Sequence, residues 1–166
     1  MKIEIRTERL KLLPLMPEQL VLLAAGAEKL ACALGLSYQG EKIAGRFRDI
    51  LLEQAEKAKA DIQNYLWHSF WLIIRKEDGA VIGMVDFKNV PDEKGNVEIG
   101  YGLGRQHGRR GYMTEAVHAM CSWAKRQRAV AHILAQTEPG NLASERVLEK
   151  CGFRRYAEGP AAWWIL

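Results

Sequence analysis

The sequence predicts an α/β protein: one mixed, mostly antiparallel twisted sheet with a single parallel βαβ crossover and helices on both faces. Three observations carry this. Residues 67–76 and 80–90 are β-rich runs joined by Glu77-Asp78-Gly79, and Asp-Gly is a strong hairpin signal. Residues 96–103 follow the turn Pro91-Asp92-Glu93-Lys94-Gly95 as a third antiparallel strand. That strand, a helix and a further strand at His132–Thr137 then form a βαβ unit, whose two strands lie parallel with a right-handed crossover.

The remaining elements follow in chain order. Residues 7–15 (TERLKLLPL) alternate as a first strand, with Leu10, Leu12 and Pro14 on one face and Arg9, Lys11 and Leu13 on the other. From Pro17 to Leu66 the spacing is helical. Leu20, Leu23, Ala24, Ala27, Leu30 and Ala31 make one stripe, Ile43, Phe47, Ile50, Leu51 and Leu52 another, and Gly35, Gly40 and Gly45 punctuate the stretch between, so two helices are expected. Met113, Ala116, Val117, Met120 and Ala124 form a clean helical face that ends near Arg126. Residues 141–151 (NLASERVLEKC) read as a second amphipathic helix, capped by Asn141 and stopped by Gly152. Phe153–Ala157 and Ala162–Leu166 close the chain as a hairpin through Glu158-Gly159-Pro160.

At 166 residues and 48% apolar, the chain suits a single domain, residues 1–166, built on one core. Its apolar runs are far shorter than the roughly 20 residues of a membrane span, and MKIEIRTERL lacks a signal-peptide apolar region, so a cytoplasmic protein without membrane association is expected. Cys32, Cys121 and Cys151 show neither zinc nor disulfide spacing and are expected to be buried free thiols; Cys121 and Cys151 fall on apolar helical faces. His68, His107, His118 and His132 show no paired spacing, and no metal is assigned. The net charge of +4 is mild. Its basic residues cluster at Arg105, His107, Arg109 and Arg110, which a compact phosphate ligand explains as well as nucleic acid would. Without a basic stripe interleaved with aromatics, nucleic-acid binding is not expected.

The chain is organised around residues 98–117, EIGYGLGRQHGRRGYMTEAV, where a strand feeds a glycine- and arginine-rich turn that opens onto a helix. Backbone N–H groups converge at such a helix start and the dipole favours negative charge, so the stretch is an anion site. A solvated basic face is the alternative for Arg105, Arg109 and Arg110; their place between two glycines at a helix start favours phosphate. Along the strand, Glu98, Gly100 and Gly102 share one face and Val97, Ile99, Tyr101 and Leu103 the other, so a carboxylate with two side-chain-free neighbours faces a space. Glu115 reads as a first-turn residue favoured by the helix dipole.

These elements together resemble the GNAT N-acetyltransferase superfamily, and within it the Rim-type branch, which includes enzymes acetylating N-terminal amino groups of ribosomal proteins. Thr7-Glu8-Arg9-Leu10 is similar to that branch's opening strand, Trp71-Leu72-Ile73 with Asp78-Gly79 and Val81-Ile82-Gly83 to its central hairpin, Glu98-Ile99-Gly100-Tyr101 to its fourth strand, and Asn141 through Phe153 to its late helix. The resemblance implies a helical acceptor-side insertion at 17–66, a cofactor strand-turn-helix at 96–126, and a late helix with closing hairpin at 141–166. The superfamily's pyrophosphate turn carries Gln or Arg, two variable residues, Gly, one variable residue, then Gly or Ala. Aligned on Gly111, this chain has Gly108 at the Gln/Arg position and Met113 at the final small one. The first departure removes a side chain while Arg109 and Arg110 keep the turn basic; the second leaves the backbone donors.

What the resemblance implies is acetyl-CoA as acyl donor, with its pyrophosphate on Gly108, Arg109, Arg110, Gly111, Tyr112 and Met113 and with His107 beside the turn. Backbone N–H groups of Gly100, Tyr101, Gly102 and Leu103, freed where this strand parts from the strand at 132–137, would face the acyl carbonyl. Glu98 matches the position of the general base in some members; it acts directly or through a water, or is a strand carboxylate paired with a basic neighbour. Many members place a thiolate-protonating Tyr where this chain has Leu148; the Rim-type branch has a serine near the CoA sulfur that Ser144, one turn earlier, resembles, which implies Ser144 as the acid or thiolate hydrogen-bond donor, against an ordinary first-turn serine. Asn141 is an N-cap and, by resemblance, a partner of the pantetheine arm. Acceptor specificity is expected in the 17–66 insertion and the final hairpin, with Arg46, Phe47, Tyr65, Trp67 and Trp71 either walling the amine or lying in the core. The expected activity is transfer of an acetyl group to a primary amine by direct attack in a ternary complex, first to a protein N-terminus, alternatively to a small amine such as an amino sugar, antibiotic or polyamine. A non-catalytic acyl-CoA-binding or sensing module is the third reading. The sheet edge would let two chains pair as a homodimer or be covered by the C-terminal hairpin.

Overall fold

The computed structural model describes residues 3–166; the first two residues of the expected 1–166 domain lie outside the described residues. Its sheet is built from β1 (Ile5–Arg6), β2 (Leu10–Pro14), β4 (Phe70–Arg75), β5 (Ala80–Phe87), β6 (Asn96–Leu103), β7 (His132–Thr137), β8 (Arg154–Ala157) and β9 (Ala162–Ile165) in the order β1-β2-β4-β5-β6-β7-β9-β8. β6 and β7 are parallel, as the βαβ reading requires, and the other neighbours along this path are antiparallel. A second parallel contact was not anticipated: the two-residue β3 (Ser37–Tyr38) lies against Ala80 and Val81 at the start of β5, on the edge that β6 takes over from Gly83 onward.

The 17–66 stretch holds more pieces than two helices. Gly26, in extended backbone at φ −179°, splits the first expected helix into α1 (Pro17–Ala25) and α2 (Ala27–Ala33), although one apolar stripe runs through both. α3 (Gly45–Ala60) follows, then a single helical turn, α4 (Tyr65–His68), where a strand had been expected to begin at Trp67. The first strand is likewise divided, because Thr7, Glu8 and Arg9 turn the chain between β1 and β2. α5 (Tyr112–Lys125) and α6 (Leu142–Lys150) complete the fold.

The sheet has a core on each face because its central strands are buried on both. On β4, Trp71 and Ile73 join Leu10, Leu12, Phe87, Val117, Met120 and Leu148 under α5 and α6. Phe70, Leu72 and Ile74 alternate to the opposite face, with Leu13, Leu20, Leu23, Leu30 and Leu51 under α1, α2 and α3. Trp67 and Trp71 are core: both pack on Trp123, the first with ring centroids 4.8 Å apart. Cys121 and Cys151 are buried and Cys32 is exposed, against the expectation for that thiol, since α2 turns it away from the stripe formed by Ala27, Leu30 and Ala31.

Candidate active site

The site begins where two parallel strands stop pairing. β6 and β7 are in register at Asn96–His132, Val97–Ile133 and Glu98–Leu134, and no further. β6 continues to Leu103 against β5 alone. The amide of Lys88 donates to the Glu98 carbonyl and that of Gly104 to the Ile82 carbonyl, so the even-numbered residues of β6 bond towards β5. By alternation, the N–H groups of Tyr101 and Leu103 face the opening left by β7.

At the end of β6 the chain makes a 3₁₀ turn, Arg105–His107, and reaches Gly108, Arg109 and Arg110 before α5. Arg109 has φ +63° and Gly111 φ +77°, so two left-handed residues bend the backbone tightly into the helix. Gly111 is the N-cap and supplies no capping side chain, which leaves the N–H groups of the first helical turn, at Tyr112, Met113 and Thr114, without intrahelical partners. Arg105, Arg109 and Arg110 are exposed, and none of them has an ion-pair partner among the described residues. Orphan donors, a helix N-terminus and unpaired guanidinium groups fit a pyrophosphate.

Two features hold this cradle. The Glu115 carboxylate accepts from the Thr7 hydroxyl at 2.6 Å, the Arg9 amide at 2.8 Å and Arg9 Nε at 2.7 Å, while Arg9 Nη1 donates to the Arg110 carbonyl at 2.8 Å. The Arg9 guanidinium also lies 4.5 Å from the Tyr112 ring centroid. Glu115 is thus a clamp between the β1–β2 turn and α5, beyond its dipole-favoured position. His107 is buried under the turn, with Nδ1 3.4 Å from Arg75 Nη1. Burial and the charges of Arg75 and Arg110 lower its pKa, so it is a neutral support and not part of the exposed basic set.

On the α6 side of the opening, the Ser144 hydroxyl donates to the Tyr101 hydroxyl at 2.9 Å, and the Tyr101 hydroxyl donates to the Ser144 carbonyl at 3.1 Å. Burial pushes the Tyr101 phenol up to about 12, despite the bond from Ser144. Asn141 caps α6 by accepting from the Ser144 amide at 3.2 Å.

On the opposite face lies a cleft of about 500 Å³, between α3 and strands β5 and β6. Phe47, Ile50, Phe70 and Met84 form its apolar walls, and Glu41, Asp86 and Lys88 are among its polar groups. The space beside the side-chain-free positions of β6 is filled from elsewhere. A Cβ on Gly100 would stand 2.9 Å from Asp86 Oδ1, and one on Gly102 would meet the Glu41 carboxylate. Glu98, which opens this row, is ion-paired with Lys88.

The profile of the acetyltransferase (GNAT) domain matches residues 9–154. The chain belongs to the GNAT acetyltransferase family. Over 83 residues it is 39% identical to YjdG of Bacillus subtilis, an uncharacterized N-acetyltransferase, covering 50% of this chain and 49% of that protein. The chain spans about half the length of the curated relatives it matches. In structure this GNAT chain is similar to RimL, a ribosomal L7/L12 alpha-N-protein acetyltransferase solved with coenzyme A, at a TM-score of 0.68 and 16% identity over 99% of this chain and 97% of that one. It is also similar to the microcin C7 self-immunity acetyltransferase MccE, solved with acetyl-CoA and AMP, at a TM-score of 0.62 and 18% identity over 96% and 93% of the two chains. At these identities the likeness is one of fold.

Within the GNAT fold the expected residues divide into three groups. Gly100, Tyr101, Gly102 and Leu103 lie on the parted strand, and Gly108, Arg109, Arg110, Gly111, Tyr112 and Met113 on the turn and helix start. Asn141 and Ser144 lie at the start of α6, against Tyr101. The helix starts at Tyr112, so Met113 is inside it, with its side chain in the core and its backbone N–H in the first turn. Its size therefore leaves the cradle open. Leu148 is fully buried, but a tyrosine hydroxyl reaches the α6 start from β6 instead, a role that assigning Tyr101 to the packed face overlooked. Phe47 alone of the five named wall residues lines the cleft, and the closing hairpin contributes none of its lining. Asp86 and Glu41 were not singled out in the sequence. Asp86 carries a signal that was passed over: a lone carboxylate inside a run of strand residues that is otherwise apolar.

Proposed function

We propose that the chain transfers the acetyl group of acetyl-CoA to a primary amine by direct attack in a ternary complex. The observation that carries this reading is the parting of β6 from β7 after Glu98, which opens the sheet between an anion-binding turn and an acidic cleft. Acetyl-CoA supplies an acyl thioester that an amine can cleave. The first-turn N–H groups of α5 with Arg105, Arg109 and Arg110 hold its pyrophosphate, and Asn141 and the free edge of β6 hold the pantetheine arm. The N–H groups of Tyr101 and Leu103 face the acyl carbonyl and stabilise the charge that develops on its oxygen. The Ser144 and Tyr101 hydroxyls stand where the sulfur departs and supply its hydrogen bond or proton. The amine lies in the cleft under α3, beside the carboxylates around Gly100.

For the acceptor, the N-terminal amino group of a protein is the first reading. An α-amine has a pKa of about 8, so a weak carboxylate base frees it, whereas a lysine amine at about 10.4 demands more. A small amine is the second reading, favoured by the limited size of the cleft. The test is CoA-thiol release from acetyl-CoA against N-terminal peptides, lysine peptides and small amines. Peptide-dependent release supports the first acceptor, and release with small amines alone supports the second. Tight CoA binding without release by any amine identifies a binding or sensing module instead.

A further inference from the structure

We propose that Asp86 is the general base of this transfer: its carboxylate receives the acceptor's ammonium group in the cleft and takes the proton that frees the amine. The assignment rests on the acetyl-transfer reading above and moves the base from β6 to the neighbouring strand.

Geometry separates the two carboxylates. Asp86 is directly opposite Gly100 in the β5–β6 register, and its Oδ1 occupies the space that a Gly100 side chain would need. Tyr101, whose N–H faces the opening, is the next residue. Glu98 sits one pleat earlier, where β6 is still paired with Leu134 of β7 and the sheet is closed. The Glu98 carboxylate is held by Lys88, whereas Asp86 lines the cleft. Asp86 retains only 8% of its surface, and its carboxylate makes neither a hydrogen bond nor an ion pair with the described residues. A buried carboxylate without a partner is costly to the fold, which is the usual mark of a group kept for a ligand. An ammonium group entering the cleft is the partner it lacks.

Several charged groups surround Asp86: Lys88 on its own strand, Glu98 from β6, and, along the same cleft, Glu41 from the loop before α3 and Glu53 and Lys57 from α3. Burial pushes Asp86 up to about 7; Lys88 opposes that shift and Glu98 adds to it. A base of this strength is about one unit below an α-amine of about 8 and more than three below a lysine amine of about 10.4, so the site suits an α-amine or another weakly basic primary amine. In the reaction the ammonium gives one proton to Asp86. The freed nitrogen lone pair forms the C–N bond, the C–S bond breaks with its electron pair on sulfur, and the second nitrogen proton neutralises the sulfur through the Tyr101–Ser144 hydroxyls or directly. Asp86 returns its proton to solvent, so the products are the acetylated amine, the free thiol and one proton.

The test is the pH dependence of kcat/KM for wild type, Asp86→Asn and Glu98→Gln, with CoA affinity measured calorimetrically on each. Asp86→Asn should lower kcat about 100-fold or more and lose the limb near neutral pH, with CoA affinity unchanged. Glu98→Gln should keep that limb, displaced to lower pH, because removing the Glu98 charge lowers the Asp86 pKa. Asp86→Asn should also melt higher than wild type at pH 8, the difference vanishing near pH 4, since a raised pKa makes the charged form a cost that is absent once the carboxyl is protonated. Gly100→Ala, which drives a methyl group against Oδ1, should reproduce the rate loss. Wild-type turnover by Asp86→Asn, or loss of the limb in Glu98→Gln alone, overturns the Asp86 assignment only. Failure of every amine to release thiol with wild type overturns the transfer reading and the base together.

Discussion

Tyr101 and Ser144 show how a residue's role changes once its neighbours are known. In the sequence Tyr101 is a strand aromatic on the packed face and Ser144 a candidate thiolate donor or an ordinary first-turn serine; in the fold two hydrogen bonds join them across 43 positions, from the Ser144 hydroxyl to the Tyr101 hydroxyl at 2.9 Å and from that hydroxyl to the Ser144 carbonyl at 3.1 Å. Each should lose about tenfold or more in single-turnover rate as Tyr101→Phe or Ser144→Ala. The double variant should lose less than the product of the two, because both single changes break the same bond. Unchanged single-turnover kinetics in either variant removes that residue from the departure of the thiolate. The strand parity that separates Glu98, Gly100 and Gly102 from Tyr101 was legible, because side-chain alternation is a local property. That two carboxylates from β5 and the 39–44 loop would fill the glycine face was not, because it depends on strand register and a loop path.

At the scale of elements, the cradle depends on the join between the β1–β2 turn and α5. Burial opposes the charge on Glu115, but the hydrogen bonds from Thr7 and Arg9 outweigh it and hold the carboxyl below its ordinary value. Such a group stabilises the fold above its unfolded pKa of about 4.3, and that contribution is lost as the pH falls through the folded value. Thermal melts should therefore show wild type more stable than Glu115→Gln at pH 7, with the gap closing as the pH falls below about 4. The two turn glycines should respond in opposite senses. Gly111 at φ +77° is strained by any side chain, so Gly111→Ala should destabilise the chain by about 1 kcal/mol or more. Gly108, at φ −64° with only the Arg105 carbonyl near a Cβ, should accept Ala with a gain of about 0.4–1 kcal/mol. Denaturant titrations of the two variants check both signs. The strands at 96–103 and 132–137 and the late helix were legible to within a residue, because alternation, helical spacing and the Asn141 cap agree there. The 17–66 stretch was not, because Gly26 interrupts backbone hydrogen bonding without interrupting the apolar stripe.

For the whole molecule, the opening between β6 and β7 is a discontinuity in the sheet that a ligand would bridge. Coenzyme A at about 100 times its Kd should stabilise the folded chain by about 2.7 kcal/mol, a rise in Tm of roughly 5–10 °C for a chain of this size. The shift should shrink with added salt under the proposed role of the exposed Arg105, Arg109 and Arg110 in phosphate binding. Mixed topology and the crossover were readable from element order alone, whereas the parting of the strands entered only through family resemblance, since no local pattern encodes where two distant strands separate. The central claim is that this opening joins an acyl-CoA site to an amine site. Its most direct test is to incubate the wild-type chain with acetyl-CoA and a primary-amine panel, measuring thiol release and acetylated product by mass spectrometry in the same samples. Stoichiometric appearance of thiol and one N-acetylated amine is the predicted result; CoA binding with neither product from any amine would contradict it.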